Sequence, residues 1–451
     1  MGKLWVYEKG AKMDIWLRNA QLLGKAQGAV KIPKDKDLVL ELSLDASNDL
    51  SALAKLVPHY VQGLAIIDYQ ITDAVLVQLD RLTSLQYLIL SACRISNAWL
   101  SHLKRFTSLK TLILFNSKIT DAELVYLKRL TSLQSLSLYR SRITDTGLVF
   151  LKQLNRLKVL DLGKTAIGDD GLVHLEKLPS LKDLDLTDTR VTDAGLIHLQ
   201  GLTSLQNLCL YGTNISDTGL IHLEQLTSLE KLNLDTGSHC IRHYVPSRIG
   251  DKGLVHLKKL TRLKVLDLGY AVVSSDGLVH LKRLTSLEKL SLRFTRISDT
   301  GLVNLSGLTS LRELDLGYTK VGNNALRGLK GLTSLKRLDL SSTEITDAGL
   351  VHLKGLISLE YLELNCTHIS DAGLVHLKGL TSLQNLSLHM SRITDTGLVN
   401  LKGLTSLQKL FLGNTAVGDD GLVHLKNLPS LKDLTLSDTR ITDAGLIHLK
   451  G

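Results

Sequence analysis

The chain has 451 residues, a formal net charge of +10, 44% apolar residues and only 4% aromatic ones. No stretch approaches the roughly 18 consecutive apolar residues that a membrane-spanning helix requires. Cys93, Cys209, Cys240 and Cys366 are too few and too scattered for a disulfide framework, so the core must be aliphatic and held by packing alone.

The opening residues Met1-Gly2-Lys3-Leu4-Trp5 lack the apolar run of a secretory signal, and Val6 stands where a myristoylation signal needs Ser or Thr. With the isolated cysteines, this points to a cytoplasmic location. Residues 1–57 are expected to form an N-terminal cap with a helical segment, because Ile15 and Leu22, and Trp16 and Leu23, are spaced to share a helix face. Stacked arrays need such a cap over their first unit. Leu38 to Val57 is either a further worn copy of the repeat or part of the cap. Residues 58–81 form a degenerate first repeat, with Val61, Leu64, Ile66, Ile71, Asp73, Leu76 and Leu79 at the offsets of the later copies.

From Leu82 to Gly451 one 24-residue phrase, L-T-S-L-x-x-L-x-L-x-x-T-x-I-T-D-x-G-L-V-H-L-K-G, recurs fifteen times. A fixed period of this size marks a stacked array in which each unit buries its apolar edge against its neighbours. Within a copy, Leu157-Lys158-Val159-Leu160-Asp161-Leu162 ends in period-two alternation, which predicts a strand with one buried face. A Thr or Ser such as Thr165 follows, placed to bond the backbone of a turn, and then an inward Ile or Val such as Ile167. T-D-x-G-L-V-H-L-K predicts a short capped helix: Thr144-Asp145 can accept its first free N–H groups, and Leu172 and Leu175 share its inner side. Gly201, Gly331, Gly355, Gly379 and Gly403 stand where a left-handed helix exit is expected. Lys128, Lys152 and Lys354 sit at helix C-terminal ends, which accounts structurally for much of the positive charge.

This phrase resembles the leucine-rich repeat in its 24-residue I-T-D-x-G-L-x-x-L bacterial form, in register across residues 82–451. The resemblance implies an α/β solenoid, a horseshoe with a parallel β concave face and short helices on the convex face. It also implies a non-enzymatic scaffold that binds a protein or peptide on the concave side.

The copy beginning at Leu226 runs ten residues long, placing an insertion near residues 238–247. His239, His243 and Tyr244 make this loop a candidate partner contact. With Cys240 they tempt a metal reading, but three ligands on one loop without a matching pair do not have the spacing of a structural zinc site. Residues 404–451 match 154–201 at 35 of 48 positions, which marks duplication of a whole block. The array also stops after a full repeat without a divergent cap, so end-to-end self-association is expected as the alternative function.

The recurrent histidines (His174, His198, His256 and their equivalents) are expected to face solvent, and the recurrent aspartates to cap helices. No nucleophile elbow, phosphate loop, H-E-x-x-H or paired C-x-x-C occurs, so no catalytic residue, cofactor or metal is expected. The informative positions are those where copies differ. The outward strand positions carry an apolar set near the start (Tyr87, Ile89, Ile113, Phe115). Further on they carry Tyr139, Tyr211, Asp267, Tyr270, Arg293, Phe294, Asp315, Tyr318, Asp339 and Glu363. Tyr270, Phe294 and Tyr318 share one slot in successive copies and should stack as an aromatic ridge beside an acidic row, Asp315, Asp339 and Glu363. Tyr and Arg dominate protein interfaces, so these ten residues are the candidate partner-binding set, with basic segments as the expected target. The mixed charge of this face argues against a polyanion such as nucleic acid.

Overall fold

The computed structural model describes residues 3–8, 21–25, 36–42, 61–67, 82, 84–93, 101–237, 247–426 and 428–449. The chain divides into two units, Met1–Asn214 and Ile215–Gly451.

In the first unit, strands β1 (Lys3–Glu8), β2 (Gln21–Lys25) and β3 (Lys36–Leu42) precede β4 (Gly63–Ile67) and β5 (Tyr87–Ser91). Five three-residue strands follow: β6 (Thr111–Ile113), β7 (Ser135–Ser137), β8 (Val159–Asp161), β9 (Asp183–Asp185) and β10 (Asn207–Cys209). From β3 onward the strands pair in parallel, with Leu40, Leu64, Leu88, Leu112, Leu136, Leu160, Leu184 and Leu208 side by side. β1 runs antiparallel between β2 and β3. Leu22 and Leu23, expected on a helix, therefore lie in a strand, and Leu22 is half exposed. Ile15 and Trp16 lie outside the described residues. The physical reason is the open row of N–H and C=O groups along β3: β1 pairs with it and β2 with the far edge of β1, which a helix could not do.

The second unit repeats the pattern through β11 (Lys231–Asn233), β12 (Val265–Asp267), β13 (Lys289–Ser291), β14 (Glu313–Asp315) and β15 (Arg337–Asp339). It continues with β16 (Tyr361–Glu363), β17 (Asn385–Ser387), β18 (Lys409–Phe411) and β19 (Asp433–Thr435). All pair in parallel one repeat apart. Each repeat sends a column of aliphatic side chains inward: Leu284, Leu287, Leu290, Leu292, Ile297, Leu302 and Leu305 are at most 1% exposed. Burial on this scale is worth about 1.5–3 kcal/mol per side chain, which is how a chain so poor in aromatics stays folded.

Two recurrent hydrogen bonds build the turns. The Thr or Ser after the strand donates its hydroxyl to the carbonyl three residues back, as in Thr165 to Leu162 at 2.6 Å and Thr319 to Leu316 at 2.6 Å. The residue before it adopts a left-handed backbone, at Lys164 (φ 55°), Tyr270 (φ 60°), Phe294 (φ 56°) and Tyr318 (φ 58°) among others. That conformation turns its N–H toward the next repeat, where Phe294 reaches the carbonyl of Gly317 at 3.0 Å. The left-handed position thus lies after the strand. The glycines expected to supply it at helix exits, Gly201, Gly331, Gly355, Gly379 and Gly403, do not have positive φ. The helices are single turns such as Asp395–Leu398, running on into a 3₁₀ turn, and their last carbonyls need no left-handed residue.

The aspartate ladder works between repeats. Asp371 accepts from the backbone N–H of Thr394 at 2.9 Å and from the hydroxyls of Thr394 (2.5 Å) and Thr396 (2.6 Å), all in the following copy. Asp121, Asp169, Asp347 and Asp419 do the same with Thr144, Thr192, Ser370 and Thr442. The glycine of D-x-G makes room for this: a Cβ on Gly397 would collide with Asp371 Oδ1. The histidines are half-buried instead of fully solvated. His198 and His256 place Nδ1 2.7 Å from Glu176 and Glu224 of the preceding copy. The neighbouring Val and Ile are the more exposed, Val303 reaching 63%. Among the described residues no helix is long and apolar enough to cross a membrane.

Candidate functional site

Strand residues alternate between the leucine core and the opposite, outward face, so residues two apart share a side. In the first unit the early part of that outward face is closed. Val39, Ala65, Tyr87, Ile89 and Ile113 form a second buried cluster, with Trp5 and Phe115 packed against it. Tyr87 donates its hydroxyl to Asp37 at 2.9 Å, and the Trp5 indole N–H donates to Glu41 at 2.5 Å. The apolar set read as outward near the start is therefore core. Tyr139 lies beyond it, stacked on Phe115 at 5.2 Å between ring centres with the rings 2° from parallel, and Lys164 Nζ lies 5.9 Å from its ring. Tyr211, half-buried, also belongs to this unit. The other eight candidates lie in the second unit. Asp161, on the outward side of β8, is pushed up to about 6 by burial and by Asp185, against the hydrogen bond from Ser137.

The second unit brings the remaining eight together. Parallel register places Asp267, Ser291, Asp315, Asp339 and Glu363 in one row along β12–β16, about 4.8 Å apart. Three residues beyond each strand position comes the left-handed turn. There Tyr270 and Phe294 stack at 4.3 Å and 11°, and Phe294 and Tyr318 at 4.1 Å and 9°. Phe294 is 38% exposed and Tyr318 53%. The left-handed backbone at these positions is that of the same turn in the other copies, so it is the aromatic side chains that set these three apart. The stack begins over Gly237, where any Cβ would strike the Tyr270 ring.

Between ridge and row lies a third column, Asp235, Gly269, Arg293, Gly317, Ser341 and Asn365 in successive copies. Arg293 lies against the ridge, its Cζ 5.3 Å from the Tyr270 ring centre and 5.9 Å from that of Phe294, with Nε 3.8 Å from Asp235. Arg337 lies 4.0 Å from the ring centre of Tyr361. Asp315 is pushed up to about 6, first by burial and then by Asp339 and Asp267; the Gly317 N–H and Arg293 pull the other way. Burial, with Asp339, also raises Glu363. A half-buried row of like charges short of cations is electrostatically suited to an incoming positive group. His239, His243 and Tyr244 of the insertion lie outside the described residues.

Sequence reading missed Gly269, Gly317 and Ser341, the three members of the third column without a conspicuous side chain. Their only signal is the column itself, visible once the copies are aligned on Arg293.

Family models described as leucine rich repeat match residues 285–345, and further ones match residues 154–175, 177–199, 355–377 and 427–449. No curated protein matches the chain. Among solved structures, an internalin from Listeria monocytogenes is 25% identical with a TM-score of 0.55, over 79% of this chain and 87% of its own. A repeat protein of the same class from Leptospira interrogans is 21% identical with a TM-score of 0.62, over 89% of this chain and 96% of its own.

Proposed function

Since the chain is a leucine-rich repeat protein, we propose that it is a non-enzymatic scaffold gripping a basic segment of a protein or peptide on the outward strand face of its second unit. The observation that carries this is the pairing of an exposed, stacked aromatic ridge with a half-buried acidic row in register beside it. Aromatic rings supply area at low entropic cost, and the carboxylates select the charge of what binds. Neither is needed for the leucine core, which is complete without them. Four cysteines scattered over distant repeats fit a reducing compartment such as the cytoplasm.

The test compares the proteins retained by the intact chain with those retained by a Tyr270→Ala, Phe294→Ala, Tyr318→Ala variant. A protein carrying a basic segment should be held by the first and lost about tenfold or more by the second, with the far-UV circular dichroism unchanged. Equal retention by both refutes the reading.

A further inference from the structure

The helical side of the second unit carries a pattern that neither packing nor capping uses. Val351, Val375, Val399 and Val423 hold one slot in four successive copies and are 38%, 43%, 47% and 41% exposed. Three residues on, Lys354, Lys378, Lys402 and Lys426 hold a second slot and are all exposed. In short helical turns residues three apart share a face, so each valine has a lysine beside it. Ile357, three residues beyond Lys354, is 61% exposed where the copies on either side have Thr333 and Thr381.

The lysine slot is not uniform along the chain. Elsewhere it is interrupted by Glu176, Gln200, Glu224 and Ser306, but from Lys330 to Lys426 it is lysine in five consecutive copies. A helix end favours a cation in any copy, which does not explain why acids enter one stretch and not another. Glu176 and Glu224 pair with His198 and His256 of the following copies. Where the block at 154–201 recurs at 404–451, the counterpart of Glu176 is Lys426. Among the described residues none of the five lysines has an ion-pair partner. Asp347, Asp371, Asp395 and Asp419 are turned to the backbone of the next copy, which leaves Asp420 as the exposed acid of these four helical segments. His352 registers the resulting positive field: burial first, then Arg327 and Lys330, hold it below the ordinary histidine range.

We propose that this side of the second unit, residues 330–426, docks on the surface of a bilayer containing anionic phospholipid. Aliphatic side chains among lysines suit a bilayer interface: the aliphatics reach the acyl boundary, and flexible lysine stems lift their ammonium groups to the phosphates. A nucleic acid would use the cations and leave the valines in water. The outward strand face lies across the leucine core from this surface. A chain held on lipid in this way therefore keeps its aromatic ridge and acidic row open to a partner.

The experiment floats the full-length chain with vesicles of phosphatidylcholine alone, or with about one-third phosphatidylserine, at fixed ionic strength. Binding to the anionic vesicles should be about tenfold or more tighter. Each cation at such a surface is worth about fivefold, so a Lys354→Gln, Lys378→Gln, Lys402→Gln variant should lose about a hundredfold. An Ile357→Thr, Val375→Thr, Val399→Thr variant keeps the charge and should lose about fivefold or more. Arg296→Gln, Lys320→Gln, Arg392→Gln removes the same charge from exposed positions beside the strand turns, and should change binding less than about threefold. All nine positions are exposed or solvent-facing, so melting temperatures should stay level and show that each variant is folded. No binding, equal binding to the two vesicles, or equal losses in the two charge variants each overturns the proposal. Full binding by the threonine variant with loss only in the lysine variant marks a general anion surface and overturns the bilayer assignment. None of these outcomes bears on the aromatic ridge, whose own test stands apart.

Discussion

The link between Asp371 and Gly397 can be tested as a coupled pair. Asp371→Ala removes three acceptor contacts and leaves the part-buried N–H of Thr394 without its partner. An unsatisfied donor of this kind costs about 1–3 kcal/mol, and partial solvation favours the lower half of that range. Gly397→Ala adds a methyl that collides with Asp371 Oδ1. The structure bounds the cost, because Ala325 occupies the same slot opposite Asp299, whose contact to the next repeat is the Gly322 N–H at 2.6 Å. There the facing residue is a glycine with no hydroxyl, whereas Asp371 would have to release Thr394 or Thr396. An overpacking penalty of about 1–2 kcal/mol results for Gly397→Ala alone. In the double variant the obstructing carboxylate is gone. The remaining close approach is to the backbone Cα of residue 371, at 3.2 Å, and alanine is the better helix former. The second substitution should then be near neutral, giving a coupling of about 1 kcal/mol or more in the cycle. Urea denaturation of the four proteins, with hydrogen exchange at the Thr394 amide as the local readout, measures it. Penalties that simply add within about 0.5 kcal/mol would refute the claim that this glycine exists to admit the aspartate of the preceding repeat.

Two other expectations concern pH and the turn. Asp315 and Asp161 titrate near pH 6 in the folded chain and near the ordinary aspartate value when unfolded. Between these limits the native state holds the additional protons, so stability should fall as pH rises from about 4 to 6 and then level off. An Asp161→Asn, Asp315→Asn variant should flatten that slope in urea midpoints taken at several pH values, and an unaltered slope would count against it. The groups facing Asp315 are Asp339, Asp267 and Arg293. Thr165→Val keeps the shape of the turn but loses the hydroxyl bond to Leu162, and should lower stability by about 1 kcal/mol; an unchanged urea midpoint would show the bond to be dispensable.

The strands and the core were legible because leucine spacing maps directly onto which side of a strand faces inward. The Thr165 class of turn residue was legible for the same local reason, as was the stacking of Tyr270, Phe294 and Tyr318 in one slot. What local reading missed were relationships between copies. Asp145 looks like a helix cap until the next repeat is laid beside it, when its carboxylate turns out to hold the Gly168 N–H at 2.7 Å. Left-handed backbone was sought at glycines such as Gly201, since glycine adopts it most easily. The fold instead places it where an N–H must reach a neighbouring carbonyl, whatever residue stands there. Tyr87 and Ile89 appeared outward by alternation, correctly, but alternation cannot say that the outward side is itself covered.

The joint between copies has one further consequence. Each repeat presents an acceptor forward and an N–H backward, and the two halves are the same at nearly every junction, whether the donor is Thr192, Gly250, Ser370 or Gly418. Any copy can therefore follow any other without a mismatched seam. Recombination that adds or deletes whole copies leaves a sound structure, as the blocks at 154–201 and 404–451, alike at 35 of 48 positions, attest. Length in such a chain is a free variable, and a gene under pressure to reach a longer or shorter partner can alter it in a single event.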